Sequence, residues 1–181
     1  MTNSLRRTAT AGFTLIETLV AVLILATAVA GPLTIASKGL HSALIAKDQT
    51  IALFLAQDAL EYVRFKRDSN ALAGVSPWLT GLDACVSTDG SVACYLDSLE
   101  QHPTVPTACA SPSTCPVMNY DQTSGTFQYT NGTPSFFRRE VQVVTPGSST
   151  TEAQVIVTVS WSDMGGVTHS IIVRENIFHW Q

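Results

Sequence analysis

Gly12-Phe13-Thr14-Leu15-Ile16-Glu17 is the stretch on which the reading of this chain turns. A leader carrying Arg6 and Arg7 precedes it, and Glu17 is the only charged residue between Arg7 and Lys38. Phe13 opens an apolar run, and residues 20–37 hold no charged side chain. About twenty such residues cross the ~30 Å hydrocarbon core of a bilayer. The two arginines before the run keep the leader on the cytoplasmic side and send the bulk of the chain outward. A carboxylate at the bilayer centre costs about 2.5–3.5 kcal/mol on insertion scales, so Glu17 needs a partner. A cut between Gly12 and Phe13 would supply one. The new amine lies four residues from Glu17, on the same face of a helix that begins at Phe13.

These residues, after a basic leader and before a long apolar helix, resemble the processing motif of type IV prepilins and type II secretion pseudopilins. In that family a membrane-embedded peptidase cuts after the glycine and methylates the new terminal residue. The resemblance implies that Gly12 precedes the cut, that Phe13 is the N-methylated terminus and that Glu17 guides assembly. It implies a prepilin peptidase, other pilin or pseudopilin subunits and an inner-membrane assembly platform as partners, with the lipid bilayer holding the subunit beforehand. Residues 49–68 and the Val-rich segment ending in Ser160-Trp161 look similar to PilV-type minor pilins. That makes a minor pilin of a type IV pilus the first expectation. A GspI-type minor pseudopilin of a type II secretion system is the second, and a surface-exposed adhesin or DNA-uptake subunit the third. The chain is expected in the cytoplasmic (inner) membrane as a single-pass protein with its C-terminal domain outside, and then in a pilus or pseudopilus.

Simpler readings explain less. Ala28-Val29-Ala30 offers the small-residue pattern of a signal-peptidase site, but a secretory signal has no use for Glu17. A plain signal anchor leaves the same acid unexplained. The 181 residues suffice for one membrane helix and one globular domain. Their formal charge of −4 gives no reason to expect nucleic acid as a partner, although Arg64, Lys66 and Arg67, and Arg138 with Arg139, form local basic patches.

The expected fold class is α+β. A long N-terminal helix, membrane-spanning in its first half, packs on a C-terminal antiparallel sheet of three to four strands. Residues 1–12 are the leader, 13–37 the membrane and filament-core half of the helix, and 38–68 its amphipathic half. Residues 69–125 form a disulfide-bonded connection and 126–181 the sheet. Gly31-Pro32 lies inside the helix, where proline removes a backbone hydrogen bond and predicts a kink or a locally unwound stretch. Leu40, Leu44, Ile51, Leu55 and Tyr62, flanked by Phe54 and Phe65, form the stripe that faces the globular domain. Asn131-Gly132 marks a turn. Residues 136–145 alternate with Phe137, Val141 and Val143 on one face. Residues 153–161 alternate with Val155, Val157, Val159 and Trp161, and residues 167–178 with Ile171, Val173 and Ile177.

Cys85, Cys94, Cys109 and Cys115 all fall beyond the membrane, which reads as two disulfides in an oxidising compartment. Three connectivities are possible. Short loops favour Cys85–Cys94 and Cys109–Cys115. The spacing lacks the tight pairs and histidines of a zinc site. The stripe and the later strands are expected not to depend on these loops. His41, His102, His169 and His179 are scattered, and Asp83, Asp89, Asp97 and Asp121 do not have calcium-loop spacing. Nucleophile elbows, zinc-protease motifs and phosphate loops are absent from the sequence. The expectation is no enzyme, no metal and no cofactor: the chain is the substrate of an enzyme.

Overall fold

The computed structural model describes residues 12–98, 105–163 and 165–179. The leader before Gly12, His102 and Met164 lie outside the described residues. The chain divides between Ile45 and Ala46 into two units, and helix α1 (Leu15–Leu72) contributes residues to both.

In the first unit the helix is apolar all round and none of its described residues before Leu44 is buried within the chain. Residues apolar on every side are what lipid or a helix bundle requires. The helical backbone continues through Gly31 and Pro32, so the locally unwound stretch does not form. Proline's missing N–H takes away one rung of the ladder, and the adjoining turns hold. Thr34 adds a bond by donating its hydroxyl to the Ala30 carbonyl at 2.9 Å.

In the second unit the helix becomes one-sided. Ala52, Leu55, Ala56, Ala59, Leu60, Tyr62 and Val63 are buried, a repeat of three and four residues. The packed stripe therefore starts about ten residues later than the sequence suggested. Leu40 and Leu44 are exposed, as are Phe54 and Phe65, while Ile51 is half-buried against the core. Three of these residues, Ala52, Ala56 and Ala59, are alanines with no exposed surface. The helix ends at Leu72 rather than near Asp68. Its stop is Gly74, whose φ of 63° is the left-handed conformation that closes helices. The Asn70 side chain donates to the carbonyls of Trp78 and Thr80 at 2.9 and 2.8 Å and folds the next turn back.

Among the described residues eight strands form one sheet, not three or four. They are β1 (Val86–Ser87), β2 (Cys94–Tyr95), β3 (Thr107–Ala108), β4 (Val117–Asp121), β5 (Thr126–Gln128), β6 (Thr133–Val144), β7 (Glu152–Ser162) and β8 (Thr168–Phe178). The three long strands match the alternating segments, and β6–β7–β8 is a continuous antiparallel meander. Four of the extra strands come from the connecting region: β4 pairs with the start of β6, β2 with Val141, β1, in parallel, with Val143 and Val144, and β3 with β2. They are two to five residues long, too short to show a period. Gly132, between β5 and β6, has a φ of 102°, and a Cβ there would lie 2.5 Å from the Tyr120 carbonyl oxygen. Only glycine fits this turn.

The core lies between the helix stripe and one face of the sheet. Phe137, Val141 and Val143 of β6, Ala153, Val155, Val157, Val159 and Trp161 of β7, and Ile177 of β8 are buried. Each such aliphatic side chain contributes about 1.5–3 kcal/mol on leaving water. The connecting region joins this core rather than only spanning it: Trp78, Leu79, Leu82, Cys85, Cys94, Leu96 and Met118 belong to the same cluster.

The arginines are not free patches. Arg64 bonds Glu175 of β8 through two nitrogens, at 2.9 and 2.6 Å, and Glu61 at 2.5 Å. Arg67 pairs with Asp68. Arg138 and Arg139 point to opposite faces of β6, as successive strand residues must. Arg139 is 1 % exposed in the middle of the apolar face. It donates to the Leu55 carbonyl (3.0 Å), to Asp58 (2.6 Å) and to the Leu96 carbonyl (2.8 Å). One guanidinium thus joins the helix, the connecting region and the sheet.

Candidate site of processing and assembly

The residues of the motif open the helix. Thr14 stands at the N-cap, and its hydroxyl oxygen accepts from the Glu17 amide at 3.3 Å while its carbonyl accepts from the amides of Glu17 and Thr18 at 3.1 and 3.2 Å. Thr14-Leu15-Ile16-Glu17 has the spacing of a capping box, threonine followed three residues later by glutamate. Glu17 lies in the first turn, where the partial positive charge of the unsatisfied amides favours an acid. The sequence carried this signal, and reading Glu17 only as a partner for an amine passed over it.

Phe13 precedes the cap and is not helical in the uncut chain. The shared helix face expected for Phe13 and Glu17 is therefore not built before processing, because Thr14 starts the helix two residues later than assumed. A terminal amine on Phe13 would be a cation at the positive end of a helix, and Glu17 is placed to offset it. Gly12 and Phe13 are both exposed, and a Cβ on Gly12 would meet nothing within 4 Å. Among the described residues no contact requires glycine there.

The residues after the motif supply the anchor. Helix α1 is long and apolar enough to cross a membrane, and none of its most apolar 18-residue window is buried within the chain. It fits a single-pass membrane anchor.

The four cysteines pair in the structure as Cys85 with Cys94 and Cys109 with Cys115, with Cα atoms 4.9 and 5.0 Å apart. Cys85, Cys94 and Cys115 are fully buried. The four loop aspartates are dispersed. Asp89 caps the Ser91 amide (2.9 Å), Asp121 the Thr123 amide (2.8 Å), Asp83 the Gly81 amide (3.0 Å), and Asp97 is buried and accepts from the Tyr129 amide (3.1 Å). Among the described residues no group of three or more metal-ligating side chains converges. His169 bonds Asp163 at 3.1 Å and stacks on Trp161, and His179 lies against Trp78.

A family profile described as the prokaryotic N-terminal methylation motif matches residues 7–31. No curated protein and no solved structure is significantly similar to the chain. The motif implies processing by a prepilin peptidase and assembly with other pilin-type subunits, and its family is structural rather than enzymatic. That motif, leading into one long apolar helix and then an antiparallel sheet, supports a type IV pilin-like prepilin with an α+β layout.

Proposed function

We propose that the protein is a minor pilin of a type IV pilus, held in the cytoplasmic membrane until its N-terminal helix joins the filament core. The observation that carries this is the first half of α1, apolar on every side, unburied within the chain and bearing Glu17 as its one acid before Lys38. Such a surface needs lipid first and neighbouring helices afterwards. The leader is cut between Gly12 and Phe13, Phe13 is methylated, and the domain beyond the membrane is fastened by its two disulfides.

Two measurements test the reading. Mass spectrometry of the mature protein should find N-methylated Phe13 at the start, and Gly12→Val should leave uncut precursor in the membrane. A different first residue sinks the processing claim. Pili sheared from cells should contain the protein in small amounts, and its deletion should reduce piliation while leaving type II secretion intact. Loss of secretion with normal pili would assign it to a pseudopilus instead.

A further inference from the structure

Strand β8 is a long open edge of the sheet. Among the described residues it pairs only with β7, in register from Thr168 to Phe178 without a bulge. The strands that end the sheet on its other side are different. β3 and β5 are two and three residues long, and the start of β6 carries Pro134 and a register shift against β4. Short strands, prolines, lysines, bulges and inward charges are the devices that keep edges from pairing with other chains. β8 has no proline, lysine or glycine, and its inward carboxylate, Glu175, is already held by Arg64.

The ends of β8 fix which of its backbone groups are open. The His179 amide donates to the Thr151 carbonyl at 2.8 Å, and the Val167 carbonyl accepts from the Asp163 amide at 3.0 Å. Both bonds continue the β7–β8 register, so the odd-numbered residues bond β7. Antiparallel strands alternate bonded with non-bonded pairs, which turns the N–H and C=O groups of Ser170, Ile172, Arg174 and Asn176 away from β7. Among the described residues no hydrogen bond reaches these backbone groups. Ile172 is 49 % exposed beside them, and Ile171 and Val173 lie half-buried at the rim of the core. Arg174 is exposed opposite Ile156, with no acid bonded to it among the described residues.

We propose that β8 takes an added strand from the globular domain of a neighbouring, different pilin-type subunit. The open groups are backbone donors and acceptors at a two-residue spacing, which another extended chain satisfies and a helix does not. The added strand sets apolar residues beside Ile171 and Val173 and an acid opposite Arg174. A second copy is not the occupant. Antiparallel pairing of two β8 edges turns one copy by half a turn about the sheet normal. The part of α1 packed along the sheet would then run in opposite directions in the two copies, and one membrane cannot anchor both. That the neighbour is pilin-like rests on the processing motif and the reading built on it. Helices bundled in one filament hold their globular domains side by side, so a strand contact of low intrinsic affinity suffices.

The test uses the full chain in cells. The photo-cross-linker p-benzoylphenylalanine replaces Ser170, Ile172 and Arg174 in turn, and peptide mass spectrometry locates the captured residue in membrane and filament fractions. All three positions should capture one stretch of another pilin-type subunit, and the captured residue should move by two for each two-residue step along β8. Ile172→Pro deletes an outward N–H and spares the ladder to β7, so capture from position 170 should fall roughly fivefold or more. Ile172→Thr keeps the N–H and should leave capture unchanged. Arg174→Glu keeps the whole backbone and should lower capture through charge alone, which preserves the test if circular dichroism shows Ile172→Pro unfolded. No capture, capture without the two-residue progression, capture of β8 of a second copy, or capture indifferent to both Ile172→Pro and Arg174→Glu overturns the proposal. Absence of the protein from filaments, with the progression kept in the membrane fraction, would count against the proposed function and leave the strand pairing standing.

Discussion

Arg139 shows how one side chain can hold three parts of a domain. It was legible only as a charge next to Arg138, because nothing in a single sequence says that an alternating face will bury a guanidinium. Asp58, its ionic partner, keeps 46 % of its side chain exposed, so losing the arginine would leave Asp58 free to rehydrate. The Leu96 carbonyl has no such recourse, whereas the Leu55 carbonyl keeps its bond within α1. Arg139→Ala should therefore destabilise the domain by about 2–4 kcal/mol, chiefly through an unpaired Leu96 carbonyl and a cavity. Asp58→Asn should cost roughly 1 kcal/mol. Urea unfolding of the mature protein measures both, and equal losses would mean that the ion pair, not the carbonyl contacts, carries the effect. A second residue contributes to acid sensitivity. Asp163, in the β7–β8 turn, bonds His169 and accepts from the amides of Gly165 and Val167, both at 2.9 Å. These bonds, the His169 one foremost, hold its carboxyl below the ordinary aspartate value. A carboxyl lowered in the folded state stabilises above its unfolded value, and that stabilisation is lost as pH falls through the lower folded value. Amide exchange at Gly165 and Val167 should accelerate across that acid window, and Asp163→Asn should abolish the step.

Among the elements, those with a long period could be read directly. Strands β6, β7 and β8 span eleven or twelve residues, and their alternation names the buried face in advance. The apolar helix was equally plain, although its packed stripe was placed too early because Leu40 and Leu44 share the spacing of residues that do pack. The two-residue strands were not legible. Their extended form comes from pairing, β1 and β2 with β6 and β3 with β2, a tertiary cause that leaves no local pattern. The disulfide-bonded region consequently matters more than its loop-like composition suggested. Cys85 and Cys94 are wholly buried in the shared core, and Cys94 pairs with Val141 of β6. Cys109–Cys115 closes a peripheral loop against β6. On the chain-entropy account each short loop is worth roughly 2–3 kcal/mol, but the first bridge also fills core volume. Replacing Cys85 and Cys94 together by alanine should lower the melting temperature of the entire domain. The same change at Cys109 and Cys115 should mainly speed amide exchange in residues 109–117. Equal effects on melting would contradict this division.

For the whole molecule, the assembly role proposed for Glu17 and its place in the first helical turn make different demands. In the first turn it needs only a polar shape near the unsatisfied amides, worth about 0.3–1 kcal/mol with the dipole included. As the partner of a methylated Phe13 amine it needs charge. A buried amine left without its carboxylate is far more costly than a frayed first turn. Glu17→Gln keeps most of the capping shape and removes the charge, whereas Glu17→Ala removes both. Membrane insertion should survive either change, since losing a carboxylate lowers the cost of the span. Incorporation into filaments should fall steeply for both, because the demand for charge dominates inside a helix bundle. Fractionation of cells into membrane and sheared filaments, with the protein quantified in each, measures the two steps separately. Filament incorporation of Glu17→Gln at wild-type level, with Glu17→Ala excluded, would reduce Glu17 to a helix cap. Wild-type incorporation of both would leave the filament register to the apolar surface of α1 alone.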